Sequence, residues 1–147
     1  MSDAQTGPRL HLTTNWSIDE IYIYGPLITA ALRKLIGMYP EGATLKSIAD
    51  EIFSGALQLW LMLDGDDFKG IVLTEMKTVE ATGHKSVMVT GLAGEDGIEL
   101  APHIATIEAW AAEEGANCVL PIGRVGWKKP LAPLGYRIDR VVYRKDL

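Results

Sequence analysis

Disulfide chemistry within the chain is excluded at once, because Cys118 is the only cysteine among 147 residues. Histidine is almost as scarce. His11, His84 and His103 stand in neither a CxxC nor an HxxxH spacing, so no metal site is expected. No apolar run approaches the roughly 18 residues that a membrane span needs, and no charged segment followed by an apolar one opens the sequence. Those absences, with one free thiol, set the expectation of a cytoplasmic protein without membrane contact. Positive charge is also short: 14 Lys and Arg against 19 Asp and Glu leave a net charge of -5. A polyanion meets repulsion from such a chain on average, which argues against a nucleic-acid partner.

What is present describes an ordinary globular domain. A hydrophobic fraction of 48% beside 22% charged residues lies far from the composition of disordered chains. The length suits one domain whose core buries roughly two thirds of the unfolded surface. The few cations do gather near the C-terminus: Arg124, Lys128, Lys129, Arg137, Arg140, Arg144 and Lys145 lie in one span with only Asp139 opposing them. That cluster is either a solvated basic face or a surface for phosphate or a protein partner.

Periodicity divides the chain into elements. Met1–Asn15 is polar and reads as an arm holding at most a short strand near Leu10–Leu12, with the domain proper over 16–147. From Pro26, a residue suited to a first helical turn, Leu27, Ala31, Leu35 and Met38 recur at helical spacing. Thr44 reads as an N-cap before a second helix whose stripe is Leu45, Ile48, Ala49, Ile52 and Phe53. The period then shortens to two. Leu57–Leu63, Gly70–Met76 and Ser86–Leu92 read as an antiparallel meander turning at Asp64–Asp67 and at Gly83 and His84. A loop with Gly91, Gly94 and Gly97 leads to the strongest helix, where Leu100, Ile104, Ile107 and Ala111 share a face and Gly115 ends it. Asn117–Ile122 reads as a buried strand, Gly123–Gly135 as a turn and short helix broken by Pro130 and Pro133, and Tyr136–Tyr143 as a final alternating strand.

That order of elements resembles the GNAT acetyltransferase superfamily over residues 16–147. The segment Gly123-Arg124-Val125-Gly126-Trp127, then Leu131, then Leu134-Gly135-Tyr136 and the ending Arg144-Lys145-Asp146-Leu147 is similar to the close of small GNAT-like proteins of tailed bacteriophages and prophages. Gly55–Trp60 at the start of the meander and Glu108-Ala109-Trp110-Ala111 on the central helix add to it. The resemblance implies a single α/β (α+β) domain with a mixed central sheet, an antiparallel meander, about four helices and splayed fourth and fifth strands. It also implies acetyl-CoA as cofactor, its pantetheine between those strands and its diphosphate at the head of the central helix, where unpaired amides and about half a positive charge favour anions. The residues so placed are Val89, Thr90, Gly91, Leu92, Gly94 and Gly97, joined by Arg124 just after the fifth strand. Arg124 is placed either to clamp a phosphate or carboxylate or to bind the carbonyls ending the central helix.

Two departures weaken that implication. The superfamily's loop pattern is Gln or Arg, two residues, Gly, any residue, then Gly or Ala; aligned on Gly94 its ends are Gly91 and Asp96, and aligned on Gly97 they are Gly94 and Glu99. Glu95, Asp96 and Glu99 then stand where a diphosphate would rest, and are expected either to repel it or simply to cap the helix. The tyrosine that serves many members as acid falls on Leu131 here, leaving Tyr136 or Tyr143 as substitutes. Glu75 in the third strand is the expected base, or else an exposed partner of Lys77 or Lys85. His84 and His103 are expected at the surface, Trp60 and Trp110 in the core. Two functions therefore stand open: an acetyl-CoA-dependent N-acyltransferase of unknown amine, with Glu75 and Tyr136 as catalytic candidates, or a non-catalytic, virion-associated phage module. The second would bind a protein partner through the arm or the basic C-terminal face; a homo-oligomer is a separate possibility.

Overall fold

One five-stranded mixed sheet carries the molecule, and its order in space is its order in sequence. The computed structural model describes residues 7–123 and 125–147, with only the backbone described at Val125. The elements are β1 (Arg9–Leu12), α1 (Ile18–Tyr22), α2 (Gly25–Met38), α3 (Leu45–Ser54), β2 (Gln58–Asp64), β3 (Asp67–Val79), β4 (His84–Gly94), α4 (Ile104–Glu113), β5 (Cys118–Pro121) and α5 (Lys128–Leu131). Short 3-10 turns occupy Ala101–His103, Val125–Trp127 and Ala132–Leu134. Strands β1 to β4 pair antiparallel, and β5 joins β4 in parallel after the α4 crossover. Among the described residues no helix is long and apolar enough to cross a membrane.

The continuous apolar run of β2 is explained by cover on both faces. Leu59, Leu61 and Leu63 pack with Ile71, Leu73 and Ala93 under α2 and α3. Trp60 and Met62 point the other way, with Val72, Val87 and Val89, onto Leu100, Ile104, Ile107 and Ala111 at and before α4. Trp60 meets Trp110 edge to face with ring centres 5.4 Å apart. Its indole N–H donates to Thr74 Oγ1 at 3.0 Å, and that hydroxyl donates to Gln58 Oε1 at 3.0 Å, so the polar atoms of this buried layer are partnered.

Helix starts follow capping chemistry. Thr44 accepts from the Ser47 amide at 3.1 Å and begins α3 as expected. Ser17 and Glu20 form a reciprocal capping box that starts α1, a helix the periodicity does not predict because it is only five residues long. The buried stripe of α2 is Ile28, Ala31, Leu32 and Leu35, one step round from the expected one, and Leu27 and Met38 are left half exposed. Of the α3 stripe only Ile48 is buried, and Phe53 is 74% exposed.

The expected last strand is absent. Tyr136–Tyr143 has the alternation of a strand but no ladder, and Tyr143 is 92% exposed. Alternation shows how a segment would sit in a sheet; a partner edge is still required. The edge on offer, β5, is four residues long and ends on Pro121, which has no N–H. The tail instead reaches Glu41, held by Arg144 at 3.1 Å. At the other terminus β1 pairs along Arg9–Leu12 with Leu63–Trp60, and Thr13 Oγ1 donates to the Leu59 carbonyl at 2.7 Å.

Leu10 in β1 is 7% exposed, so Leu10→Ala is expected to cost about 2–3 kcal/mol, read as a lower urea midpoint at unchanged slope.

Candidate functional site

β4 has two unequal sides. Against β3 it is paired from His84 to Gly94, whereas against β5 the pairing is confined to Ser86–Cys118, Val87–Val119, Met88–Leu120 and Val89–Pro121. One more bond, Ile122 N–H to the Val89 carbonyl at 3.0 Å, ends the contact, and beyond it the two strands part. At the parting point β4 bulges. Leu73 faces Gly91 and Thr74 faces Val89, so Thr90 is an extra residue whose hydroxyl lies 3.5 Å from the Leu73 carbonyl. A bulge bends the strand and increases its twist, and this one separates the paired half of β4 from the free half.

Trp127, Pro130 and Leu131 lean into the opening from the C-terminal side, and Leu92, Leu100 and Ala101 line it from the other. The cleft that remains has a volume of about 130 Å³. Gly123 is what lets the indole lie so close: a Cβ there would collide with the Trp127 ring.

At the mouth, α4 proper begins only at Ile104, after the 3-10 turn at Ala101–His103. Among the described residues the amides of Gly97, Glu99, Leu100 and Ala101 have no acceptor. The three acids of this loop differ in their contacts. Glu95 turns away to Lys69, 3.5 Å from its ammonium. Lys69 is bonded more closely to Asp67 at 2.9 Å, and these two carboxylates, Asp67 first, raise its pKa. All three acids, Glu95, Asp96 and Glu99, line a broader cleft of about 760 Å³ on the β1 side of the loop. Glu99 alone borders the opening between β4 and β5.

The remaining predicted residues divide by position. Val89, Thr90 and Leu92 lie at or just beyond the parting of the strands. Gly91 faces Leu73, where Leu35 of α2 leaves no room for a Cβ. Gly94 answers to packing: it pairs with Gly70 under the Ile98 side chain, and a Cβ would collide with the Lys69 carbonyl and the Gly70 Cα. Lys34, which the sequence does not single out, donates to the Gly94 carbonyl at 2.7 Å. Gly97 has φ +82 and takes a turn that other residues resist. Arg124 lies outside the described residues.

Glu75 is half-buried on β3 opposite Met88, on the sheet face away from α4 and close to the bulge. Tyr136 lies on the α4 side, its hydroxyl donating to Glu108 Oε2 at 2.6 Å. The structure therefore does not bring the two catalytic candidates together. Burial first, and then the Glu108 carboxylate, push the Tyr136 phenol well above its ordinary range, which holds its proton in place. Burial lowers the pKa of His103. In the basic C-terminal cluster, Arg140 pairs with Asp139 at 3.0 Å, and Arg144 pairs with Glu41 and Asp146. Sequence reasoning misses the role of Trp127, because nothing in one chain's spacing reveals that an indole will fill a gap between two distant strands.

Comparison with known proteins places this architecture. No family model matches the sequence, and no curated protein does. Solved structures do match over almost the whole chain. An aminoglycoside acetyltransferase from an uncultured soil metagenomic sample superposes with a TM-score of 0.68 at 11% identity, over 97% of this chain and 99% of that one. A putative acetyl transferase from Pyrococcus furiosus gives 0.63 at 15% identity, over 95% and 99%. A predicted acetyltransferase from Clostridium acetobutylicum, solved with acetyl-CoA, gives 0.62 at 10% identity, over 95% and 96%. The chain is a single α+β domain with the GNAT fold.

The Tyr136 contact predicts a pH effect of definite sign. A phenol whose pKa is raised in the fold stabilises the fold fully below the ordinary tyrosine range, about pH 10, and loses that contribution as pH rises above it. Tyr136→Phe is therefore expected to lower stability by about 1 kcal/mol at neutral pH and to reduce the alkaline decline, both measured by urea melts up to alkaline pH.

Proposed function

We propose that the chain is an N-acyltransferase that draws its acyl group from an acyl-CoA, acetyl-CoA in the first instance, and delivers it to an amine. The observation that carries this reading is the parting of β4 from β5 beside a bulge, with the head of α4 at its mouth. An extended arm laid there can pair with the free backbone edge of Thr90–Gly94 as an added strand does. The walls from Leu92, Leu100 and Leu131 suit an apolar chain, and the unpaired amides of Gly97, Glu99, Leu100 and Ala101 suit an anion. Glu99 opposes that anion, while Lys69 draws Glu95 aside and lessens its effect. Of the predicted cofactor residues, Thr90 and Leu92 sit on the free edge in this reading and Val89 is the last paired residue before it. Acetyl-CoA, when bound, supplies an acyl group already activated as a thioester.

Glu75 takes the proton from the acceptor ammonium in this scheme, since it is a half-buried carboxylate on β3 close to the bulge where the strands part. Tyr136 holds α4 to the chain after α5, and its proton is engaged on Glu108. The soil aminoglycoside enzyme illustrates one class of polyamine acceptor for this fold, and a polycation also suits the acidic balance of this chain.

A second reading, a non-catalytic module of the kind found in phages, is favoured by the size of the cleft. About 130 Å³ is less than the roughly 300–1,000 Å³ of ordinary ligand sites, so α5 and Trp127 must swing outward before an arm can enter.

Calorimetry separates the two. Binding of acetyl-CoA, tightened roughly fivefold by Glu99→Ala, is the expected outcome; a like charge removed from about 4 Å in a water-like medium is worth about 1 kcal/mol. No heat at millimolar ligand with either protein would reject the acyltransferase. With binding established, Glu75→Gln is expected to lower kcat by about 100-fold or more at nearly constant KM.

A further inference from the structure

We propose that Cys118 and His84 form a reactive thiol site that accepts a low-molecular-weight thiol as a mixed disulfide. The two residues are 34 positions apart in sequence, and the sheet brings Sγ to 3.6 Å from Nε2. Parallel register pairs Cys118 with Ser86, and His84 lies two residues before Ser86, so all three share the face opposite to Val87 and Val119, which pack towards α4. Asn117 holds this corner rigid: its amide donates to the Lys85 carbonyl at 2.7 Å and its Oδ1 accepts from the Lys85 amide at 2.9 Å. Lys85 turns its ammonium to the Glu114 carbonyl at 2.6 Å.

Access and capacity both exist. Among the described residues β5 is the edge of the sheet, Cys118 is half-buried and His84 is exposed, so a small molecule reaches the sulfur from the side. Ser86 beside them is only 7% exposed, and its hydroxyl has no hydrogen-bond partner among the described residues. A buried hydroxyl without a partner lacks something that a polar adduct on the neighbouring sulfur supplies.

The reaction balances without a further oxidant. His84 Nε2 takes the thiol proton as Sγ attacks one sulfur of a small disulfide, the Cys118 S–S bond forms as the original S–S bond breaks, and the leaving thiolate takes the proton back from the imidazolium. Excess small thiol reverses it. The site is separate from the proposed acyl cleft: Cys118 lies three residues before the point where β4 and β5 part, a separation of about 10 Å along the strand.

The chain has no other thiol, so the signal is unambiguous. The probe is 5,5′-dithiobis(2-nitrobenzoic acid) at neutral pH, with oxidised glutathione and intact mass as a second arm. The native protein is expected to react at least about tenfold faster than the same chain unfolded in urea, and His84→Gln to bring the native rate down about fivefold or more with the melting temperature unchanged. A native rate no higher than that of the unfolded chain would overturn the proposal whatever the variant does. So would a His84→Gln protein that reacts as fast as the parent.

Discussion

A strand that keeps its partner along one edge and loses it halfway along the other governs this molecule. β4 cannot leave the sheet, because β3 holds it from His84 to Gly94. β5 cannot follow it, because its contact ends at Pro121 and Ile122. The bulge at Thr90 reconciles the two by turning the free half of β4 away from β5. Backbone groups then face a gap, and α4, packed through Ile104 and Ile107, brings its first turn to the same place. Cleft, mouth and unpaired amides are consequences of one interruption in a hydrogen-bond ladder.

What fills the gap is decided by size more than by charge. Trp127 lies flat on Gly123, and Leu131 is buried behind it. An apolar wedge of this kind closes the sheet against water and leaves room for only a few atoms. The loop acids, which look like a barrier when written in a row, are unequally placed once folded: all three line the broad cleft on the β1 side, where Glu95 pairs with Lys69, and of the three only Glu99 also borders the gap. At the gap itself the opposing carboxylate is therefore Glu99. The acyltransferase reading rests on that difference as much as on the parted strands.

Local rules were legible where one residue type had one job. Thr44 could only cap, Leu100, Ile104, Ile107 and Ala111 could only face a core, and the apolar run of β2 required cover on both sides. The rules misled where two faces competed. α2 turned slightly and buried Ile28 and Leu32 in place of Leu27 and Met38, since the sheet selects the stripe that packs best. Tyr136–Tyr143 carried a strand's alternation and found no edge long enough to join. The capping box of α1 was visible in Ser17 and Glu20 but too short to register as a period.

The sequence by itself determined the class of fold, the order of its elements from α2 to α5 and the absence of disulfide chemistry within the chain, because these depend on periodicity and composition, which are local. It also located the loop before α4 and the strand residues around Thr90. Only the tertiary structure decided what those residues face. Glu75 and Tyr136 fell on opposite sides of the sheet, Gly94 proved to serve a close packing with Gly70, and Cys118 met His84 across the strands. Contacts of this kind join positions tens of residues apart, and no pattern along one chain specifies a register between strands until every strand has taken its place.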